Sequence, residues 1–463
     1  MSNLKSYVIH TIGGGWGKET IEENLIKVSV IRGTDFPKLE KLDFSSVPIR
    51  FETLKKIESR TLQVGDLIIE VSGGSASSGQ RTGRCLYITQ EILDNLGKYV
   101  IPASFCRLLR LDKEKINSKF IYYQIAEMHL SDQIGIYENQ STGISNFQFN
   151  LFLDEIFPKI TDLNKQNSIV DIFNSIDQKI QVNTKINQTL EQIAQALFKS
   201  WFVDFDPVRA KVQALSDGLS LEQAELATMQ AISGKTAEEL TALSQTQPER
   251  YAELAETAKA FPCEMIEVDG VEVPKGWEVK PLGDLISFVK GKKPKSVSPK
   301  QEENMLPHIL TSSLEGKYNE FCESNKLITV EYQNTIMLMD GSNSGRVAIG
   351  HNGVIGSTLA KINLDNNKLW AIIYQFLKHK EADIQANTTG TTIPHTDKNR
   401  VNNYLMVIPN NFLLEKITEL FDNSLLKIIS NRNQIISLET TRNLLLPRLL
   451  SGEFQYEQKY ITK

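Results

Sequence analysis

The chain has 463 residues, of which 41% are hydrophobic and 23% charged, and its formal net charge is −5. This length is sufficient for two or three domains, each with its own core. No run approaches the roughly 18 apolar residues of a membrane helix, and the first ten residues lack the pattern of a signal peptide, so we expect a cytoplasmic protein. The four cysteines and six histidines are scattered without zinc-binding spacing, which argues against a protein-bound catalytic metal.

Acidic residues are concentrated in one segment, residues 213–275, where twelve carboxylates stand against four basic side chains. This segment carries a net charge of −8, which leaves +3 on the rest of the chain. Binding to nucleic acid requires cations near phosphates. The charge distribution therefore permits a nucleic-acid partner without requiring one.

A globular domain is predicted over residues 1–158, followed by a long helix within residues 159–212. The helix signal is strongest in "IVDIFNSIDQKIQVNTKINQTLEQIAQALF" (169–198), where the spacing alternates between four and three residues, as in a coiled coil. The predicted seam consists of Ile169, Phe173, Ile176, Ile180, Asn183, Asn187, Leu190, Ala194 and Leu197.

The acidic segment, residues 213–275, is predicted to be a linker. It is rich in Ala, Glu, Gln and Leu, which predicts one or two solvent-facing helices. It ends near "VPKGWEV" (273–279), where a second globular domain begins that we place at residues 276–410.

A second long helix, predicted within residues 411–456, repeats the first. Residues 169–198 align without a gap to residues 417–446, 248 positions later. The second seam consists of Ile417, Phe421, Ser424, Ile428, Asn431, Ile435, Leu438, Arg442 and Leu445. The two helices are therefore predicted to pair with each other, in antiparallel orientation if the repeat forms a pseudo-two-fold. A helix over 169–198 would be about 45 Å long, or roughly 13 base pairs of B-DNA, and could act as a ruler.

The globular domains repeat more faintly. Residues 140–147 resemble 387–394 and residues 65–84 resemble 334–350; in addition, 101–109 parallels 355–363 and 30–36 parallels 308–314. The sequence thus predicts an α+β protein in which two α/β domains are separated by two long antiparallel coiled-coil helices, as a pseudo-two-fold internal repeat.

Two asparagines, Asn183 and Asn431, occupy matching positions in the two seams. A buried amide in a coiled coil costs stability but penalises every register except the one in which it finds a hydrogen-bond partner. The alternative is that both amides face water at a frayed part of the seam.

Three segments resemble the conserved regions of the specificity subunit of type I restriction-modification enzymes: "ALFKSWFVDFDPVRAK" (196–211), "PKGWEVKPLGDL" (274–285) and "NLLLPRLLSGEF" (443–454). Together with the duplicated layout, the resemblance covers nearly the whole chain. One departure is that the N-terminal domain has "GGGWGKE" (13–19) in place of the "PKGW" lead-in.

The resemblance implies that each globular domain is a target-recognition domain for one half of a bipartite site in double-stranded DNA. It also implies that the helices fix the spacer and dock methyltransferase subunits, expected to number two, with restriction or translocase subunits as further partners. No cofactor is expected on this chain, whereas S-adenosylmethionine, ATP and Mg are implied for the partners. Packing among the helices and against a partner is expected from Leu197, Phe198, Trp201, Phe202, Phe205, Leu445, Leu449 and Leu450; the alternative is that they only cap the chain's own core.

DNA contacts are expected from polar and basic side chains on the matched loops, because these side chains can make hydrogen bonds to base edges. In the first domain the candidates are Arg32, Thr34, Ser75, Ser77, Gln80, Arg81, Arg84, Thr142, Ser145 and Asn146. In the second domain they are Lys292, Lys293, Lys295, Ser312, Ser313, Asn343, Arg346, Thr389, Thr391, His395, Lys398 and Arg400. Solvated turns and simple connections are the alternative interpretation of these loops.

An enzyme and a protein scaffold are the two alternative classes of function. "GGGWG" lacks the spacing of a phosphate-binding loop, and Val208 follows "DFDP" where an amino-methyltransferase motif would have a second proline, so no catalytic residue is expected. A non-catalytic coiled-coil scaffold that joins two protein-binding domains is the remaining alternative. The arginine, lysine, serine and asparagine in corresponding loops favour DNA.

Overall fold

The computed structural model describes residues 2–73, 81–141, 144–268, 270–390 and 392–452. The chain divides into a first unit, Met1–Lys185 with Gln434–Lys463, and a second unit, Ile186–Asn433. Both boundaries fall inside long helices, and the distance between them (433 − 185 = 248) equals the offset of the sequence repeat. The division therefore follows the duplication.

The first unit contains short strands and helices followed by the first half of a long helix. Its strands are β1 (Val8–Gly13), β2 (Leu25–Ile31), β3 (Ile49–Thr53), β4 (Leu67–Glu70), β5 (Ser72–Gly73), β6 (Cys85–Tyr87), β7 (Val100–Pro102), β8 (Cys106–Leu111), β9 (Glu138–Ser141) and β10 (Ile144–Phe147). Its helices are α1 (Phe36–Leu39), α2 (Leu54–Arg60), α3 (Gln90–Leu96), α4 (Ser118–Leu130), α5 (Phe149–Glu155) and the start of α6 (Leu163–Phe202).

The second unit begins with the rest of α6 and a group of helices, after which the same kind of mixed domain follows. Its further helices are α7 (Asp206–Ser216), α8 (Leu221–Ser233), α9 (Ala237–Thr246), α10 (Pro248–Ala260), α11 (Trp370–Ala386), α12 (Lys398–Asn402) and the first part of α13 (Asn411–Leu450). Its strands are β11 (Met265–Val268), β12 (Val271–Pro274), β13 (Glu278–Pro281), β14 (Ile286–Lys290), β15 (Met305–Ile309), β16 (Phe321–Glu323), β17 (Thr329–Val330), β18 (Ile336–Leu338), β19 (Val347–Ala348), β20 (Gly353–Ile355), β21 (Leu359–Leu364) and β22 (Leu405–Ile408).

The sheets of the two units share one topology. Strand order β1-β8-β4-β6 in the first unit corresponds to β14-β21-β18-β19 in the second, and β3-β2-β7 corresponds to β16-β15-β20, which β17 extends. In each unit the second sheet contains one parallel pair, β2 with β7 and β15 with β20. The predicted α+β fold with an internal repeat is confirmed.

The match between residues 30–36 and 308–314 agrees with the strand pairing, but the match between 101–109 and 355–363 is one residue out of register. Ile31 O accepts a hydrogen bond from Ala103 N at 2.8 Å, and Ile309 O accepts one from Gly356 N at 2.9 Å. Ala103 therefore corresponds to Gly356, not to Ser357 as the sequence alignment implied. A short segment with few shared residues does not fix a register, whereas the hydrogen bonds do.

Two glycines explain why the start of each domain is similar. A Cβ on Gly14 would lie 2.1 Å from Ala103 O, and one on Gly291 would lie 2.3 Å from Gly356 O. Both positions bring the strand end against the backbone of the parallel pair, where no side chain fits. The close approach of the two backbones thus explains why "GGGWGKE" has a glycine at position 14.

The long helices pair in antiparallel orientation. In the first unit Arg442 Nη1 donates to Asp177 Oδ1 at 2.8 Å, and Asn183 Nδ2 donates to Gln434 Oε1 at 2.7 Å. The partner numbers on α13 fall as the positions on α6 rise, which defines the direction. Both helices have 40 residues, about 60 Å at 1.5 Å per residue. They lie within the predicted ranges 159–212 and 411–456 and are longer than the repeated segments 169–198 and 417–446.

Both seam asparagines are buried and hydrogen-bonded. Asn183 is 1% exposed and Asn431 is 2% exposed. In the second unit Asn431 Nδ2 donates to Asn187 Oδ1 at 2.8 Å. The alternative that these amides face water is excluded, and their selection of the register stays a prediction.

The segment between the domains is more structured than expected. Three helices, α8 to α10, lie within residues 213–275 and bury a small core, so the prediction of one or two solvent-facing helices was wrong. Two capping boxes, Ser220 with Gln223 and Thr236 with Glu239, begin α8 and α9 and divide the segment into separate helices. The core consists of Met229, Leu240, Leu243 and Ala258. Within the described residues, no helix has the length and apolar character needed to cross a membrane.

Candidate nucleic-acid interface

The aromatic end of α6 is part of the core of the second unit. Trp201 lies 5.2 Å from Phe261 between ring centroids, and Trp277 lies 5.8 Å from Phe202 and 5.9 Å from Phe205. The segments 196–211 and 274–285, which carry the family resemblance, therefore meet in one aromatic cluster. The cluster consists of Phe198, Trp201, Phe202, Phe205, Phe261 and Trp277, all buried, with Leu197 half-buried beside them.

The end of α13 belongs to the core of the first unit. Leu449 and Leu450 are buried there and Leu445 is half-buried, whereas Leu444 is 65% exposed. Most of the side chains predicted to pack at the helix ends are thus covered by the chain itself. Docking of a partner at these helix ends stays a prediction. Among these leucines of α13, Leu444 is the most exposed and offers the largest apolar surface to such a partner.

Arg84 and Arg346 occupy the same position in the two domains. Arg84 O accepts a hydrogen bond from Glu70 N at 2.9 Å, and Arg346 O accepts one from Leu338 N at 2.8 Å. The side chain of Arg84 forms two hydrogen bonds with the buried carboxylate of Glu70, both at 2.8 Å. Arg346 instead donates to the exposed Glu315 at 2.6 Å. Arg346 is therefore the more available of the two for a ligand.

Asn146 and His395 also correspond, so the sequence match of residues 140–147 with 387–394 is two residues out of register. Phe147 N donates to Val71 O, and Thr396 N donates to Met339 O, each at 2.9 Å. Phe147 therefore corresponds to Thr396, and the residues immediately before them correspond as well. Both candidates hydrogen-bond across a strand edge: Ser72 Oγ donates to Asn146 Oδ1, and His395 Nδ1 lies 2.8 Å from Asp340 Oδ1. Each domain thus presents a polar pair at the same place.

The remaining candidates of the first unit have different environments. Arg32 forms a salt bridge with buried Asp35 at 2.8 Å and also donates to Ser46 O, so it supports the local turn. Arg81 donates to Asp132 at 2.8 Å and to Glu138 at 2.9 Å, and these hydrogen bonds raise its pKa. Thr34 is exposed and Ser145 is buried. Ser75, Ser77, Gln80 and Thr142 lie outside the described residues.

In the second unit, Lys292, Lys293 and Lys295 are exposed on the loop after β14, and no salt bridge joins them to the described residues. Lys398 Nζ lies 5.6 Å from the ring centroid of Phe288. Arg400 pairs with Asp383 at 2.9 Å, and Thr389 donates to His395 O at 3.3 Å. The other candidates are Ser312 and Asn343, which are exposed, Ser313, which is buried, and Thr391, which lies outside the described residues.

A cleft of about 600 Å³ in the first unit contains residues that the sequence analysis missed. Its cation is Arg107 on β8, whose Cζ lies 4.9 Å from the ring centroid of Phe149 and whose Nε donates to Thr11 Oγ1 at 3.2 Å. The available sequence signal was the presence of two arginines, Arg107 and Arg110, in the otherwise apolar strand "CRLLRL". The lining is Val71, Ser72, Ser104, Phe105, Arg107, Asn146, Phe147, Gln148, Phe149, Asn150 and Leu151.

Over the described ranges, no three His, Cys, Asp or Glu side chains are grouped so that they could hold a metal ion. What the two domains do present is two matched positions, Arg84 with Arg346 and Asn146 with His395, together with further basic and polar side chains on strand edges and loops. Groups of this kind donate hydrogen bonds to phosphates and to base edges. The arrangement suits recognition of a nucleic acid.

Comparison with known proteins agrees with this description. Residues 274–442 match the family model described as "Type I restriction modification DNA specificity domain". The type I restriction enzyme HindI specificity subunit of Haemophilus influenzae is 37% identical over 398 residues, which cover 80% of this chain and 84% of that protein. The MjaIX specificity subunit of Methanocaldococcus jannaschii is 24% identical over 373 residues, or 75% of this chain and 72% of that protein.

Among solved structures, the S subunit of a type I restriction-modification system from M. genitalium covers 97% of this chain and 95% of its own, with 14% identity and a TM-score of 0.47. The extent and identity of the HindI match decide the classification. The chain belongs to the family of type I restriction-modification specificity subunits.

Proposed function

We propose that this chain is a non-catalytic DNA-recognition subunit in which each globular domain reads one half of a bipartite site in double-stranded DNA. The observation that supports this most strongly is the matched pair of polar edges, with Asn146 in one domain and His395 at the corresponding position of the other. Two copies of one reading surface suit a target with two separate parts.

The paired helices set the gap between the two half-sites in this proposal. Their antiparallel seam and the 40-residue length of each helix support it. The buried amides of Asn183 and Asn431 favour one register, and a fixed register keeps the spacer constant.

Two methyltransferase subunits are the proposed partners, with restriction or translocase subunits as further components. Methyl transfer with S-adenosylmethionine, and ATP- and Mg-dependent chemistry, would then take place on those partners. The exposed Leu444 on α13 offers an apolar contact for one of them. The complex would act in the cytoplasm, where the host DNA is.

The experiment that tests the proposal is retention on DNA. The full chain is mixed with a random-sequence duplex pool at two salt concentrations, with and without its methyltransferase subunits, and the retained fraction and its sequences are measured. We expect retention that falls steeply with salt, since phosphate contacts release counterions, and a retained set that shares a split motif. A protein scaffold would retain no DNA at either salt concentration, and that result would overturn the proposal.

A further inference from the structure

Arg107 is held in an unusual environment for a cation. It lies on β8, opposite Gly13 of β1 and Ile69 of β4, and is half-buried at the cleft of the first unit. Its Nε donates to the neutral hydroxyl of Thr11, and its guanidinium rests over the ring of Phe149. These contacts fix the plane of the guanidinium while no carboxylate of the described residues neutralises it.

Four other arginines of the same unit differ in this respect, since each forms a salt bridge: Arg32 with Asp35, Arg81 with Asp132, Arg84 with Glu70 and Arg110 with Asp66. Arg60 also lacks a salt bridge within the described residues, but it donates to the backbone oxygens of Gly13 and Lys56. A half-buried cation without an acidic partner loses solvation that one neutral hydroxyl and one aromatic ring restore only in part. A ligand with hydrogen-bond acceptors would supply the missing partner.

The cleft beside Arg107 has the chemistry of a base-reading surface. Among the lining residues, Asn146 and Gln148 provide amide groups and Ser104 provides a hydroxyl. Phe105, at the rim, is 63% exposed, which is a large apolar surface to leave in water. Planar guanidinium, amide and aromatic groups around one cleft suit the edge and methyl groups of bases.

The second unit has a cation–aromatic pair in the corresponding region, built from different positions, and Ala360 stands where Arg107 stands in the first unit. Thr11 pairs with Leu109 on β8, and Phe288 pairs with Ile362 on β21, so Phe288 stands where Thr11 stands. Lys398 follows Thr396 by two residues, as Phe149 follows Phe147, and its Nζ lies over Phe288 at 5.6 Å. No salt bridge joins Lys398 to the part of the chain that the structure describes.

We propose that Arg107 is a specificity-determining residue of the first domain, whose guanidinium donates to the O6 and N7 acceptors of a guanine in the first half-site, and that Lys398 is its counterpart for the second. The inference rests on the proposed function. Nε is engaged by Thr11, which leaves the two terminal amino groups of Arg107 to donate to a base in this proposal. Paired donation of this kind distinguishes guanine from the other bases. Lys398 contacts its half-site with a single ammonium group.

The test uses the full chain assembled with its methyltransferase subunits and a pool of random-sequence duplexes. Sequencing the bound fraction for the unmodified protein first defines the two half-sites. Arg107→Ala is expected to abolish selection of one guanine in one half and to lower affinity for the preferred sequences roughly 5- to 150-fold. Lys398→Ala is expected to change the other half alone.

Two further variants keep the result interpretable. Arg107→Lys preserves the charge and the contact with Phe149 but removes the planar fork, so it should regain affinity without regaining the guanine, even if the alanine variant folds poorly. Lys55→Ala removes one exposed charge of the same unit away from the cleft and should leave the motif unchanged.

The inference is overturned if Arg107→Lys keeps the full motif, or if Arg107→Ala weakens all sequences equally, which would make Arg107 a phosphate contact. It is also overturned if the Arg107 and Lys398 variants alter the same half. A different result, in which the unmodified protein selects no split motif, would overturn the proposed function itself.

Discussion

Asp177 of α6 accepts a hydrogen bond from Arg442 of α13 at 2.8 Å, while the Tyr123 hydroxyl donates to its other carboxylate oxygen at 2.5 Å. In the repeat, with its offset of 248 residues, Leu425 corresponds to Asp177 and Ala194 corresponds to Arg442. Both are buried in the apolar core of the second unit. One place in the repeated seam is therefore ionic in one unit and apolar in the other.

This difference predicts the outcome of a double-mutant cycle. Arg442→Ala leaves the Asp177 carboxylate half-buried without its cation and should lower the free energy of unfolding by about 2 kcal/mol. Asp177→Leu combined with Arg442→Ala copies the apolar pair of the second unit and should cost less than the two single changes together. Urea unfolding of the four proteins measures the coupling, expected at about 1 kcal/mol. Strict additivity would contradict the assignment of a coupled pair.

The aromatic cluster at the end of α6 is predicted to stabilise the second unit. Trp277→Ala opens a cavity between Phe202 and Phe205 and should cost about 3–5 kcal/mol. Leu444→Ala is the control, because that side chain is largely exposed and should change stability by less than about 0.5 kcal/mol. Thermal unfolding measures both. Similar, small effects for the two variants would mean that the cluster does not carry the packing ascribed to it.

His351 should make the second unit less stable in acid. It is 1% exposed, and burial, followed by the charges of Arg432 and Arg346, lowers its pKa to about 4. The unfolded chain takes up the proton near pH 6.5, before the folded protein does. The contribution of neutral His351 to the free energy of unfolding is thus fully present above about pH 6.5. It is lost as the pH falls toward about 4, and the loss is on the order of 3 kcal/mol.

The comparison is between the original protein and His351→Asn, which retains a polar group near the Tyr318 hydroxyl that lies 2.9 Å from Nδ1. Chemical unfolding between about pH 4.5 and 7.5 should show a shallower pH dependence for the variant. Equal slopes for the two proteins would show that His351 titrates normally.

The sequence predicted the helices better than the binding surface. A repeated four–three spacing determines a coiled-coil seam locally, so the helix pair, its antiparallel direction and the position of both asparagines followed from residues 169–198 and 417–446. The number of helices in the acidic segment was underestimated, because the two capping boxes were not interpreted as the starts of separate helices.

The candidate site was harder to predict because the partners of a cation are often far away in the sequence. Arg81 is neutralised by Asp132 and Glu138, which are more than 50 positions later. Arg107 lies in a strand and not in a loop, so a search for polar loops passed over it. Only the three-dimensional arrangement distinguishes an arginine that supports the fold from one that is available to a ligand.

The central claim is that the helix pair sets the distance between two half-sites. Deleting residues 182–188 and 430–436 together removes two turns from the middle of each helix and takes out Asn183, Asn187, Asn431 and Gln434 as complete hydrogen-bonded pairs. The seven-residue seam repeat of the remaining residues is retained and then sets the register, and each helix is shortened by about 10 Å, or about three base pairs of B-DNA. The deletion from α6 alone serves as the control, because it breaks the match between the two seams.

The decisive measurement is the motif around methylated positions in the DNA of cells that carry the doubly shortened chain with its methyltransferase subunits. We expect both half-sites to remain as they are in the original motif, with the gap between them shorter by about three base pairs. Unchanged half-sites separated by an unchanged gap would contradict the account.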